Sequence, residues 1–355
     1  MSPKRIALLM ALIILFAACD GTGLIEEESI SPTQQQSQST KPRSTNTPAP
    51  QPIQLPHHAV WFAPNFASED YIDLFTRPEE WQSARQQIDV FQFDTQSMLN
   101  DPCEICGDNI LPAYVAVDAF RKLYTWGIPI SVSVGSVKEW GCTGHREFEV
   151  ADLVIQNIEN NGGVVDIVAM DEPRWYGTWE ECDYTPEQIA EKTAIFMNLV
   201  HRKYPAMLIG DIEPYPRLSV AEMIDWIMIL ESQGVDLNFF HLDVDADWVR
   251  FEGINVSADL QALEQFLEER GIPFGVIITS SWKQASSDMI YYHSAIQWVH
   301  DVNAAIGRPS NLIFQSWWGP AADGTHKIPR NLPENDPEIF SHTRLLLEGL
   351  SIFGP

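Results

Sequence analysis

Basic residues are scarce in this chain of 355 residues, which has 22 Lys and Arg against 49 Asp and Glu and a formal net charge of −27. A nucleic-acid partner needs a basic surface, so this balance excludes that class of function. No glycine-rich phosphate loop follows the first apolar segment after residue 56, which weighs against a nucleotide-binding fold. We expect no nucleic-acid partner and no cofactor.

Long apolar runs are also missing, and the run at residues 6–18 is too short for an ordinary membrane-spanning helix. It follows Lys4 and Arg5 and ends on small residues, which is typical of a secretory signal. The stretch LFAAC, which ends at Cys19, resembles a bacterial lipoprotein signal. That resemblance implies removal of residues 1–18 and lipidation of Cys19. We therefore expect an exported monomer, held by lipid on the extracellular or periplasmic side of a membrane.

Cysteine is rare, and four of the five cysteines would remain after cleavage: Cys103, Cys106, Cys142 and Cys182. Export permits disulfides, so we expect all four to be bridged, in any of three pairings. The spacing of Cys103 and Cys106 also fits half a zinc site, but two structural disulfides are the simpler interpretation.

Three parts follow from composition: the signal at residues 1–18, a linker at 19–56 and a folded body at 57–355. The linker is rich in Ser, Thr, Pro and Gln. Such a segment has too little apolar surface to offset the entropy lost on ordering, so we predict that it is a disordered tether.

The folded body repeats one pattern eight times. Apolar or alternating runs begin at residues 59, 89, 129, 164, 206, 237, 273 and 311. Helix-period segments separate them, such as those that begin near Thr185 and Ser257. Alternating strands and helices indicate a parallel sheet, and eight units predict an α/β fold of the closed (β/α)₈ barrel type. An open doubly wound sheet is the alternative.

Alternation along each strand predicts which side chains face the barrel interior. In the fourth strand, Asp166 should avoid the helix-covered face, so it assigns Val164, Val168, Met170 and Glu172 to the interior. Asp171 then points outward. The same test places further residues inside: Gln92, Asp94 and Gln96; Ser131, Ser133 and Gly135; Asp211 and Glu213; His241, Asp243 and Asp245; Gln315 and Trp317.

Acids from several strands would thus converge at the C-terminal end of the barrel, where barrel enzymes keep their active sites. Several carboxylates, 12 tryptophans and the lack of a nucleophilic Ser-His pair suit glycoside hydrolysis, which usually needs two carboxyl groups. The stretch MDEP, which contains Glu172, resembles the acid/base segment of the TIM-barrel glycoside hydrolase superfamily, where Asn-Glu-Pro is common. The resemblance implies that Glu172 is the proton donor and that Trp317 lies near the sugar site.

The seventh strand departs from that family, because it ends in ITSSW, without the usual acid. The second catalytic carboxylate is therefore predicted to be Glu213, with Asp243 or Asp245 as alternatives. The resemblance also offers a mechanism known for N-acetyl sugars, in which Asp171 would orient the substrate's acetamido group beside Glu172. The outward face predicted for Asp171 ranks this mechanism second.

Predicted substrate contacts complete the candidate site: Asp94, Asp171, Trp175, His241, Trp248, Trp282, Gln315 and Trp317. Two other classes of function stay open. One is a catalytically inactive barrel that binds carbohydrate. The other is a metal-dependent hydrolase or deacetylase with His241, Asp243 and Asp245 as ligands, although no His-x-His motif follows the first strand. The sequence leaves sugar identity, linkage and stereochemical outcome open.

Overall fold

The computed structural model describes residues 51–99, 110–138, 141–280, 287–316 and 329–354. Eight parallel strands close into a barrel in sequence order, and the first pairs with the last. The strands are β1 Ala59–Ala63, β2 Val90–Asp94, β3 Ile130–Val134, β4 Val165–Asp171, β5 Leu208–Tyr215, β6 Phe240–Val244, β7 Phe274–Ile278 and β8 Asn311–Gln315. All eight predicted strands are present, and the predicted (β/α)₈ barrel is confirmed.

Helices surround the barrel. They are α1 Asp73–Thr76, α2 Gln82–Arg85, α3 Thr95–Met98, α4 Ile110–Ala116, α5 Ala119–Trp126, α6 Gly144–Asn160, α7 Pro173–Tyr176, α8 Pro186–Lys203, α9 Val220–Ser232, α10 Ala246–Glu252, α11 Val256–Glu268, α12 Asp288–Ile306 and α13 His342–Phe353, with a 3₁₀ turn at Pro78–Trp81. Within the described part of the chain, no helix combines the length and the apolar character needed to cross a membrane.

Local sequence explains where α8 begins and where α11 ends. Thr185 caps α8 through a reciprocal pair of hydrogen bonds with Gln188, and Pro186 occupies the first turn, where its missing N–H is harmless. Gly271, just after α11, has a φ of 68°, a left-handed conformation that glycine adopts without strain. Both features agree with the helix boundaries predicted from sequence.

Apolar side chains form two layers. The larger lies between the strands and the helices and includes Val168, Met170 and Trp226. The smaller, here called the interior layer, fills the barrel. It consists of Ala59, Trp61, Val90, Ile167, Ala169, Ile212, Phe239, Ile277 and Ile313, all nearly or wholly buried. On the strands that contribute to it, its members alternate with those of the outer layer, so they identify the face that these strands turn inward.

The predicted faces of β2, β3 and β6 are correct where the strands are regular. Ser131 Oγ donates a hydrogen bond to Gln92 Oε1 at 3.2 Å, and both residues are buried. His241 packs against Trp61 of the interior layer, with ring centroids 4.7 Å apart. Gln96 is a correction, because it lies on α3 after the strand has ended and is exposed.

The predicted faces of β4 and β5 are wrong. On β4, Ile167 and Ala169 belong to the interior layer, so Asp171 has an inward position and Val168 and Met170 pack under the helices. The register explains the error: Ile130 pairs with Val165, but Ser131 pairs with Ile167. Asp166 is therefore the extra residue of a β-bulge, where alternation breaks.

On β5, Asp211 faces the helices and not the interior. It accepts a hydrogen bond from Trp226 Nε1 of α9 at 2.8 Å. Ile212, one residue further along, belongs to the interior layer. Glu213 therefore follows Asp211 onto the outer face. A buried carboxylate can face a helix layer when a donor from that layer reaches it, and the sequence test did not anticipate this arrangement.

Candidate active site

Glu172 directly follows the last residue of β4, at the C-terminal end of the barrel, here called the mouth. Its φ and ψ are 55° and 44°, a left-handed conformation that is uncommon for residues with a Cβ. Its N–H donates to the Ile212 carbonyl oxygen at 2.9 Å, and Pro173 then begins α7. Such backbone strain is typical of functional sites, where the surroundings fix a side chain in a required direction.

The Glu172 carboxyl group lies in a strongly acidic environment. Burial raises its pKa well above the ordinary value, and the negative charges of Asp171 and Asp243 raise it further. Lys138 and Arg217 act in the opposite direction with smaller effect. The raised pKa favours a protonated carboxyl at neutral pH, which is the state that a proton donor requires.

Asp171 forms an ion pair with Lys138, which the sequence analysis did not identify as part of the site. The Lys138 ammonium also lies 3.9 Å from the centroid of the Tyr176 ring, and its side chain is only 11% exposed. Its backbone N–H donates to Glu147 Oε1 at 3.2 Å. Lys138 is thus held from three sides, and its charge partly offsets the acids at the mouth. Lys138 is neither an acid nor an aromatic residue, so the pattern of acids and aromatics in the sequence does not point to it.

Asp243 lies near the end of β6, and Asp245 is the first residue after that strand. The pKa of Asp243 is raised to about 7, first by burial and then by the charges of Asp171 and Asp245. No residue in the described ranges donates a hydrogen bond to the Asp243 carboxylate. Asp245 instead caps α10, because its Oδ1 accepts from the N–H of Trp248 at 3.0 Å. Of the two, Asp243 is the carboxylate that has no hydrogen-bond donor among the described residues.

His241 lies deeper in the barrel than Asp243. It is wholly buried beside Trp61 and Phe239, and its Nε2 lies 3.1 Å from Asn311 Nδ2. Burial lowers its pKa to about 3, so the imidazole is neutral. The structure therefore places this predicted substrate contact in the packed core.

Glu213 is wholly buried. Its Oε1 accepts from the N–H of Arg174 at 2.6 Å, and its Oε2 accepts from the N–H of Trp175 at 3.3 Å. Burial, then the charge of Asp211, raises its pKa well above the ordinary value. The structure does not present Glu213 to a substrate as the sequence predicted, because backbone donors occupy both oxygens.

Two predicted polar contacts do lie at the mouth. Asp94 ends β2 and caps α3 by accepting from the N–H of Ser97 at 2.9 Å, and burial raises its pKa to about 6. Gln315 ends β8, and its Oε1 is buried without a hydrogen-bond partner among the described residues. Its backbone oxygen accepts from the Tyr291 hydroxyl at 2.7 Å.

Aromatic side chains lie around the mouth on two sides. After β4, the ring centroids of Trp175 and Trp179 are 6.3 Å apart, and Trp179 is 43% exposed. After β6, Trp248 lies below the Arg217 guanidinium at 5.8 Å and near Phe251, which is 78% exposed. The other predicted aromatic contacts, Trp282 and Trp317, lie outside the described residues.

A disulfide joins two loops of the mouth. It bridges Cys142, in the loop after β3, and Cys182, in the loop between α7 and α8, with a Cα–Cα distance of 5.4 Å. This pair confirms half of the cysteine prediction. Cys103 and Cys106 lie outside the described residues, as does Cys19.

The metal-dependent alternative requires a cluster of ligand side chains. In the ranges that the structure describes, no group of three or more His, Cys, Asp and Glu residues is arranged to hold a metal ion. His241, the nitrogen ligand that the metal alternative needs, lies buried in the core as described above.

No protein-family model and no curated protein matches the sequence. Similar folds occur among solved structures. A glucosidase from Croceicoccus marinus is 15% identical, with a TM-score of 0.50, and the match covers 86% of this chain and 69% of that one. An endo-beta-1,4-mannanase from Cellulomonas fimi is 14% identical, with a TM-score of 0.50 and coverage of 84% and 70%. At these identities the likeness shows a shared barrel fold, and the chemistry must be argued from the site.

Proposed function

We propose that this protein is a glycoside hydrolase in which Glu172 is the general acid. The observation that carries the proposal is the environment of the Glu172 carboxyl group, whose pKa is raised by burial and by the charges of Asp171 and Asp243. A general acid must keep its proton near neutral pH, and glycosidases achieve this with such surroundings. Its position after a barrel strand at the mouth fits the same role.

Asp243 is the second carboxylate of the proposal. It replaces Glu213, whose oxygens are both bound by backbone N–H groups. With a pKa of about 7, Asp243 is partly ionised at neutral pH. Glu172 would give its proton to the leaving oxygen as the glycosidic bond breaks. Asp243 would either take a proton from the attacking water, with inversion, or attack the anomeric carbon itself, with retention.

The substrate-assisted mechanism is the second candidate for the reaction, and one observation favours it. Asp171 has an inward position on β4 and is held by Lys138, instead of pointing outward as the sequence predicted. A fixed carboxylate beside the general acid is suited to orient an acetamido group of an N-acetyl sugar. The anomeric configuration of the first product, followed by NMR, separates inversion by Asp243 from either retaining route.

We also propose export and lipidation at Cys19, which would tether the barrel to the outer face of a membrane. The support is the sequence pattern around residues 6–19. Metabolic labelling with an alkyne fatty acid tests it. Wild-type protein should carry the label, whereas Cys19→Ser should not. Labelling of both forms to the same extent would contradict the proposal.

A panel of polysaccharides and aryl glycosides, incubated with the chain from residue 20 onward, tests the proposed activity. Glu172→Gln keeps the side-chain volume but removes the acidic proton. It should lower the rate on polysaccharide on the order of 10²–10⁴-fold. Aryl glycosides with good leaving groups should be affected less, because their leaving oxygen needs little protonation.

The matched control is Glu180→Gln, at an exposed carboxylate eight positions further along the same loop region. It should leave the rate within about twofold of wild type, as is usual for surface substitutions. If Glu172→Gln retained polysaccharide hydrolysis within a few-fold, Glu172 would not be the acid. If wild type bound polysaccharide without cleaving any member of the panel, the non-catalytic binding function would replace the proposal.

A further inference from the structure

We propose that Glu213 is a positioning residue, which holds the turn that carries Glu172 in its catalytic orientation. This inference rests on the proposed function and deepens it. Glu213 touches no open space at the mouth, since it is wholly buried. It would act through the backbone of residues 172–175.

The backbone N–H groups of the turn all donate hydrogen bonds to residues of β5. The N–H of Glu172 donates to the Ile212 carbonyl oxygen at 2.9 Å. Pro173 has no N–H, and the next two N–H groups, of Arg174 and Trp175, donate to the two oxygens of Glu213 at 2.6 and 3.3 Å. Every N–H from residue 172 to residue 175 is therefore bound to residues 212 and 213.

The strain at Glu172 explains why such an anchor is needed. The left-handed conformation of Glu172 is disfavoured for a residue with a Cβ, so an unanchored turn would relax. Relaxation would rotate the Glu172 carboxyl group away from Asp171 and Asp243, which raise its pKa. Glu213 would thus control both the direction and the protonation of the general acid.

Replacement of the Glu213 carboxyl group by an amide or by a methyl group tests the positioning role. In Glu213→Gln, one backbone N–H meets an NH₂ donor instead of an acceptor, so one of the two anchors is lost. In Glu213→Ala, both are lost. The matched control is Glu334→Gln, because Glu334 is also buried and accepts from two backbone N–H groups, those of Ser83 and Ala84, at 2.9 and 2.7 Å. It lies in a different part of the chain and does not contact the turn.

The first experiment needs no substrate. Hydrogen exchange of the Arg174 and Trp175 amides should accelerate at least tenfold in both Glu213 variants and stay unchanged in Glu334→Gln. The ¹³C titration of the Glu172 carboxyl should also shift to lower pH in the Glu213 variants alone, but the charges of Glu213 and Glu172 are coupled, so the exchange result decides the positioning role. If the Glu213 variants fold and the exchange of these amides does not change, the positioning role is refuted.

The second experiment uses an aryl glycoside and an unactivated oligosaccharide cleaved by wild type. A positioning residue predicts a larger loss of kcat on the oligosaccharide than on the aryl glycoside, with little change in KM. A nucleophile predicts loss on both, and rescue of Glu213→Ala by azide with formation of a glycosyl azide, which would overturn the inference. If wild type cleaves nothing, the proposed function fails, but the exchange and titration results still judge Glu213.

Discussion

At the scale of single residues, opposing charges set the protonation of Glu172. Asp171 and Asp243 raise its pKa, whereas Lys138 and Arg217 lower it, and burial outweighs each of them. Lys138 is the cation nearest in the structure to this pair of acids, since it forms an ion pair with Asp171 and lies over the Tyr176 ring. The site therefore contains a residue whose loss should move the titration of Glu172 in a known direction.

Lys138→Met should raise the pKa of Glu172, because a positive charge that favours its ionised form is lost. Asp243→Asn should lower it, because a negative charge is lost. Titration of the ¹³C-labelled Glu172 carboxyl by NMR measures both shifts without any need for activity. If neither variant shifted the titration, burial alone would set this pKa, and shifts in the same direction would contradict the charge effects described here. Lys192→Met, on a neighbouring helix, serves as the control and should leave the titration unchanged.

At the scale of elements, the sequence predicted all eight strands, because each is a short apolar or alternating run between helix-period segments. It failed at the faces of β4, since one inserted residue at the bulge reverses alternation and the sequence does not mark a bulge. It failed at β5 because the buried Asp211 accepts a hydrogen bond from Trp226 on the helix that follows the strand, and alternation within a strand carries no information about such a donor. The position of Glu172 after β4 follows from the local Asp-Glu-Pro signal, but the alternation that assigned it to the interior together with Val168 and Met170 fails, and its catalytic role stays a prediction.

The disulfide between Cys142 and Cys182 acts on two loops at once. It ties the segment that follows Lys138 to the segment that follows α7, so its loss should loosen both sides of the Asp171–Lys138 ion pair. Its 40-residue separation corresponds to about 4 kcal/mol in the chain-entropy description of cross-links, and typical measured values are about 2–4 kcal/mol.

Replacement of both Cys142 and Cys182 by Ser should therefore lower the free energy of unfolding by about 2–4 kcal/mol in urea titrations. Reductant should destabilise wild type by more than it destabilises the double variant, since the variant lacks this bridge. Equal sensitivity to reductant in both proteins would mean that the Cys142–Cys182 bond contributes nothing to stability.

At the scale of the whole molecule, buried carboxyl groups should make the fold sensitive to alkaline pH. Burial raises the pKa of Asp211 from 3.8 to about 8. Its contribution to stability is complete below the unfolded-state pKa near 4. This contribution to the free energy of unfolding is lost as pH rises towards 8. In that range the unfolded chain releases the Asp211 proton, whereas the folded chain must either retain the proton or bury a charged carboxylate. The same direction holds for Glu172 and Glu213.

Asp211→Asn should remove this part of the pH dependence while its amide oxygen still accepts from Trp226. The variant should gain stability relative to wild type between pH 5 and pH 8, by at least about 1.4 kcal/mol, the equivalent of one pKa unit. Urea titrations at the two pH values measure it. Asp225→Asn, at an exposed position of α9, is the control and should show no such trend. A constant difference between Asp211→Asn and wild type would contradict the buried-proton explanation.

The interior layer has a consequence for the movement of a substrate. Trp61, Phe239, Ile313 and their neighbours fill the centre of the barrel with side chains that are wholly or almost wholly buried. The barrel is thus a cup and not a tube. In the proposed function, a polymer could not thread along the barrel axis, so the substrate would bind and the products would leave at the mouth. Substrate entry and product release would therefore use the same opening.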